Sequence, residues 1–178
     1  MRIYLVGYMG SGKSTLGKKL AKLAGMRFLD LDKYIEERNC RTVSQLFQQE
    51  GEEGFRKKER KALEEVSEYD EVVVATGGGA PCFFDNMELM NRTGVTLFLD
   101  IDPLILARRL MASKTVRPLI AGKNRQELMA FISENLAKRR PFYEQSRFRI
   151  SNPEMKPDLI YTLMSDSASG TRDQLSIS

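Results

Sequence analysis

Gly7, Gly12, Lys13 and Ser14 fall at the spacing GxxxxGK[ST] in the segment GYMGSGKS (7–14), with Gly10 and Ser11 as further small residues inside the loop. Small residues let successive backbone N–H groups curl around a phosphate at a helix N-terminus, where the dipole also favours an anion. Lys13 is placed to reach β- and γ-oxygens, and the Ser14 hydroxyl suits Mg²⁺. The segment follows an apolar run and precedes an amphipathic one, the strand-loop-helix context that distinguishes a nucleotide loop from an ordinary glycine turn. Such a loop alone does not choose between hydrolysis, mechanical work and transfer to a small molecule.

Other stretches bear on that choice. In FLDLDKYIEER, Asp30 and Asp32 stand two apart where a strand meets a helix. One carboxylate can help hold hydrated Mg²⁺ while the other orients an acceptor hydroxyl for in-line attack; a helix cap or a solvated turn would use the same pair. In EEGFRKKERKAL, Arg56 and Glu59 are three apart on one helix, so a carboxylate can fix a guanidinium whose remaining donors face a substrate carboxylate. Taken alone, that stretch reads as a charged, solvent-facing helix. EVVVATGGGAP puts Gly77, Gly78 and Gly79 directly after a buried strand, leaving no side chain between backbone and ligand. SKTVRPLIAGKNR (113–125) holds Lys114, Arg117, Lys123 and Arg125 with no acidic residue, a flap from which Arg117 can close over a transferring phosphoryl group. AKRRPFYEQ adds Arg139 and Arg140 at a helix end, as a second clamp for an anionic acceptor or simply as a match to the helix dipole. With no histidine in the chain, any proton acceptor must be a carboxylate or something weaker.

Short β-branched runs at 2–7, 27–30, 71–76, 95–100 and 147–151 alternate with helix-period segments at 14–24, 43–49, 53–66, 86–91, 103–112, 125–139 and 157–164. This alternation predicts a parallel sheet with helices on both faces, whose ligands lie beyond the carboxyl ends of the strands. Gly7 onward, Asp30 to Asp32, Thr76 to Gly79 and Asp100 to Asp102 all follow strand ends and should crowd one edge. The Ser-rich segment 165–178 is expected to be a disordered tail.

A chain of 178 residues with 42% hydrophobic and 29% charged residues suits one globular domain. Its net charge of +4 is too small and too dispersed to argue for nucleic acid, and no apolar run approaches membrane-spanning length. Cys40 and Cys82 form no CxxC pair, so neither a disulfide framework nor a zinc site is expected. Without sustained apolar heptads, the expectation is a cytoplasmic monomer.

GYMGSGKS, DLD, FRKKE, TGGG, VRPL and RRPFY occur in the order and at about the separations found in shikimate kinases, and over about residues 2–164 the chain resembles that family. The resemblance implies an α/β fold, a three-layer αβα sandwich with a central five-stranded parallel sheet of the P-loop kinase type. It implies a single domain over 1–164 with a mobile lid at about 113–125, before the tail. It also implies transfer of the ATP γ-phosphate to the 3-hydroxyl of shikimate, with Mg²⁺, in the pathway to chorismate and aromatic amino acids. By motif position, Asp32 would bond the shikimate hydroxyls as base or orienting group, Arg56 and Arg139 would grip the carboxylate, and Gly78 would contact substrate through its backbone. ATP contacts would fall on Gly10, Ser11, Gly12, Lys13, Ser14, Thr15 and Arg117, with Lys13 and Arg117 also catalytic. Ser14 and Asp30 would serve Mg²⁺, partly through water. Asp100, which ends the hydrophobic run VTLFLD, is not a principal ligand in that family. Where family members often carry a basic residue against adenine, SNPEMKPDL offers only Lys156. Two other readings share the loop. One is a kinase of the same superfold acting on gluconate or a nucleoside monophosphate; the other is a nucleotide switch or nucleic-acid-associated ATPase, which would usually need adjacent acids to position water.

Overall fold

The apolar runs form β1 (Arg2–Val6), β2 (Arg27–Asp30), β3 (Val72–Ala75), β4 (Val95–Leu99) and β5 (Phe148–Ile150) in a computed structural model that describes residues 1–113, 120, 122–152, 154–168 and 175–177. The strands are parallel in the order β2-β3-β1-β4-β5, with Leu5 opposite Ala75 on one side and Leu97 on the other. Ile3, Tyr4, Leu5, Val73, Val74 and Leu97 are fully buried, as strands covered on both faces must be. A short further strand, β6 (Leu175–Ile177), pairs parallel with β5 at the sheet edge and adds one to the five expected.

Seven helices are described: α1 (Lys13–Ala24), α2 (Leu31–Asn39), α3 (Val43–Val66), α4 (Asn86–Thr93), α5 (Pro103–Ala112), α6 (Arg125–Tyr143) and α7 (Pro157–Ala168). A 3₁₀ turn at Ala80–Cys82 follows the glycine run. The segments read separately as 43–49 and 53–66 are one helix, α3, interrupted at Gly51 (φ 68°, ψ −176°), a conformation essentially reserved for glycine. Helix α6 continues four residues beyond 139, through Pro141, because Tyr143 is drawn into the core. Helix α7 also outruns its expected end: Met164 is buried and the Ser165 hydroxyl donates to the Tyr161 carbonyl at 2.9 Å. Residues 165–168 of the segment expected to be a disordered tail are therefore helical, and 175–177 lie in β6.

Because every strand is parallel, Gly7, Asp30, Thr76 and Asp100 emerge at the same edge. Gly7, Gly10 and Gly12 adopt φ of 141°, 81° and 100°, which an L side chain would resist. A Cβ on Gly7 would also lie 2.9 Å from the Leu99 carbonyl oxygen, so the loop can sit against the end of β4 only without one.

Candidate active site

The loop after β1 and the first turn of α1 form one wall of a cleft of about 790 Å³. Gly10 to Thr15, Asp30, Asp32, Thr76 to Gly78 and Arg109 line it, as do Asn152, Glu154, Met155 and Lys156 from the chain's last third. The Lys13 ammonium donates to the carbonyls of Gly7 and Tyr8 at 2.7 and 2.9 Å, folded over its own loop. The Ser14 hydroxyl donates to Asp30 Oδ2 at 2.9 Å, while Asp30 Oδ1 caps α2 by accepting from the Lys33 amide at 3.4 Å. Asp30 thus serves as a cap and as a partner of Ser14 at once. Arg109, on α5, donates to the carbonyls of Gly10 and Ser11 at 3.3 and 3.1 Å. Its sequence neighbourhood, an amphipathic helix, offers no sign of that role.

Gly77 and Gly79 make room for side chains brought from elsewhere, and Gly78 lies in ordinary contact with a third. A Cβ on Gly77 would fall 2.8 Å from Asp32 Oδ1 and 3.0 Å from Glu59 Oε1. On Gly78 it would meet Arg139 Nη1 at 3.4 Å, and on Gly79 it would meet Arg56 Nη2 at 2.6 Å. The run therefore gathers two carboxylates and two guanidiniums along one short backbone stretch, in which Gly77 and Gly79 are buried and Gly78 is partly exposed.

Arg56 is buried rather than solvent-facing. Its Nη1 donates to Glu59 Oε2 at 2.7 Å, its Nη2 to Glu52 Oε1 at 3.2 Å, and its Cζ lies 4.1 Å from the Phe83 ring centroid. Glu59 is 1% exposed, and its Oε1 has no hydrogen-bond partner among the described residues. Burial, opposed by Arg56, pushes its carboxyl up to about 7. Burial also raises the Asp32 carboxyl, reinforced by the charge of Asp30 and opposed by Lys13. Asp32 and Lys13 both line the cleft, so the phosphate loop and the candidate acceptor group share one space.

The neighbours Arg139 and Arg140 point to different places. Arg139 lies beside Gly78 with its Cζ 5.5 Å from the Tyr8 ring centroid. Arg140 instead forms a two-pronged pair with Asp100, Nη2 to Oδ1 at 2.7 Å and Nη1 to Oδ2 at 3.1 Å. Tyr143 donates to the Gly78 carbonyl at 2.5 Å, and burial pushes its phenol above the usual tyrosine range. Nothing local in the sequence marks Tyr143, whose partner lies 65 residues away. Arg117 lies outside the described residues; of the expected flap, only Ser113, Ile120 and residues 122–125 are described.

The shikimate kinase family model matches residues 9–167 of the chain. The chain belongs to the shikimate kinase family. A shikimate kinase of Phocaeicola vulgatus is 55% identical over 155 residues, covering 87% of this chain and 89% of that protein. The crystal structure of shikimate kinase from Bacteroides thetaiotaomicron superposes with a TM-score of 0.88 at 48% identity, covering 96% of this chain and 99% of that one. Shikimate kinase from Acinetobacter baumannii in complex with shikimate gives a TM-score of 0.80 at 34% identity, covering 94% and 93% of the two chains. The αβα architecture is that of the P-loop kinases in this family, and the chain is an ATP-dependent kinase.

Proposed function

We propose that the enzyme transfers the γ-phosphate of ATP to the 3-hydroxyl of shikimate, giving shikimate 3-phosphate and ADP on the route to chorismate and aromatic amino acids. One observation carries the reading at the level of residues: Arg139 and Arg56 lie against Gly78 and Gly79, while Asp32 lies against Gly77. A pair of guanidiniums suits a carboxylate, and a carboxylate one residue further along suits hydroxyls. An acceptor bearing a carboxylate at one end and hydroxyls at the other fits that order.

On the donor side, Lys13 exchanges its carbonyl partners for β- and γ-phosphate oxygens, and the loop amides from Gly10 to Thr15 receive the phosphates. Arg117 is assigned to the transferring phosphoryl group from the flap. Ser14 and Asp30 offer a hydroxyl and a carboxylate side by side, the hard oxygen donors that Mg²⁺ takes alongside waters and phosphates. Among the described residues no cluster of three or more acidic, histidine or cysteine side chains forms a metal cage, so the fit is to an ion that arrives with the nucleotide. Bound there, Mg²⁺ would neutralise charge on the phosphates. In the transfer, the 3-hydroxyl oxygen bonds to the γ-phosphorus, the bridge to ADP breaks, and the hydroxyl proton passes to Asp32. Burial suits Asp32 to that role by making it a stronger base than an exposed carboxylate.

The cytoplasmic, monomeric state is inferred as well. Cys40 and Cys82 are free thiols, and no helix among the described residues is long and apolar enough to cross a membrane. A panel of shikimate, gluconate and nucleoside monophosphates scored by ADP release tests the acceptor. Turnover on shikimate is expected; turnover on gluconate or a nucleotide, with none on shikimate, overturns the reading.

A further inference from the structure

Consecutive residues leave an α-helix roughly 100° apart, so fixing the direction of Arg140 also fixes that of Arg139. Arg140 donates to Glu144 Oε1 at 3.2 Å at the end of its own helix and to the buried carboxylate of Asp100. Asp100 stands one residue past β4, its amide donates to the Ile150 carbonyl at 2.9 Å, and its side chain is 7% exposed. The fork between Arg140 and Asp100 is bidentate, at 2.7 and 3.1 Å, and such pairs constrain angle as well as distance. The neighbouring carbonyl, that of Leu99, is the one packed against Gly7. Asp100 is therefore rooted in the edge of the sheet that carries the phosphate loop. At the same helix end, Tyr143 is tied to the Gly78 carbonyl.

We propose that Asp100 and Arg140 form a positioning pair for the acceptor clamp: their ion pair sets the rotation of the last turns of α6 so that Arg139 meets Gly78. Neither residue touches substrate; both act through Arg139. The proposal rests on the assignment of Arg139 to the shikimate carboxylate. Arg140 can be removed without stranding a buried charge, because Asp100 keeps Arg149, whose Nε donates to Oδ2 at 2.8 Å, and because Arg140 is 34% exposed. A loss of Arg140 thus probes placement more than folding.

The experiment is a double-mutant cycle of Arg140→Ala and Arg139→Ala, with Arg140→Lys added, measuring kcat, KM for shikimate, KM for ATP and Tm on the full-length enzyme. Arg140→Ala is expected to raise the shikimate KM about tenfold, a coupling typical of residues in one network. The ATP KM should stay within about twofold and the Tm should change little. Arg140→Lys should recover part of the loss, since it keeps the charge but not the fork. With Arg139 already alanine, Arg140→Ala should add nothing to the shikimate KM. If Arg139→Ala raises that KM and Arg140→Ala does not, the clamp stands and the positioning pair is wrong. An Arg140→Ala effect of equal size in both backgrounds, or an equal rise in both KM values with a lower Tm, also overturns it. If Arg139→Ala itself leaves the shikimate KM unchanged, the clamp assignment falls and takes this proposal with it.

Discussion

Adding a single methyl group at Gly79 tests the acceptor clamp with little else disturbed. Gly79 has φ −91° and ψ −24°, a right-handed conformation that alanine adopts freely, so Gly79→Ala introduces no backbone strain. The new Cβ would lie 2.6 Å from Arg56 Nη2, 2.7 Å from Nη1 and 2.9 Å from Cζ. Ordinary contact begins at 3.4 Å, so the guanidinium must retreat by about 0.8 Å. It is not free to do so cheaply: Glu59 holds it at 2.7 Å and the Phe83 ring centroid lies 4.1 Å away. A displacement of that size breaks at least one charge-assisted hydrogen bond to a bound carboxylate, a loss of roughly 1.5–3 kcal/mol, or about tenfold to a hundredfold in affinity. The assay is ADP formation under saturation of each substrate in turn. The shikimate KM should rise by that factor, while the ATP KM stays within about twofold, because the three atoms nearest the new Cβ all belong to Arg56. A shikimate KM within twofold of the parent enzyme would refute the placement of Arg56 against the acceptor.

Two further outcomes follow from the carboxylates. Asp32→Asn keeps the shape of the side chain but removes its basicity, so turnover should fall by about 10²–10⁴ while ATP still binds, as calorimetry would show; turnover like the parent's would remove Asp32 from the proton's path. Glu59, whose carboxyl is raised from the ordinary 4.5 to about 7, binds a proton in the folded enzyme that the unfolded chain has already lost between those two values. Its contribution to stability is therefore full below pH 4.5 and lost as pH rises to about 7. Glu59→Gln cannot titrate, so its melting temperature relative to the parent should climb between pH 5 and 7, by the equivalent of roughly 3 kcal/mol at most. A difference that stays flat over that range would contradict the raised carboxyl.

The features legible in the sequence were those written locally. The β-branched runs, the loop glycines and Pro103 at a first helical turn each state their own conformation, so the strands and most helix starts fall close to where the pattern placed them. Residues 50–52 read as a gap between the helical segments 43–49 and 53–66, yet within them only Gly51 leaves the helical region and the helix resumes at once. The charged stretch around Arg56 reads as a solvent-facing surface because its burial is tertiary: Phe83 comes from another element, and Glu59 is enclosed by packing rather than by its own helix. Arg139 and Arg140 cannot be told apart by type. What separates them is Asp100, 40 residues away from Arg140. Arg109 escapes notice for the same reason, with its loop partner Ser11 at a separation of 98 residues.

The central claim is that this site joins a phosphate loop to a clamp for a carboxylated polyol. Coupled measurement of ADP with Mg²⁺, ATP and shikimate as the only added substrates tests it most directly. ADP formation should saturate with shikimate, match the shikimate consumed mole for mole, and be near zero without it. ADP formation indifferent to shikimate, or appearing only with gluconate, a nucleotide or nucleic acid, would contradict it.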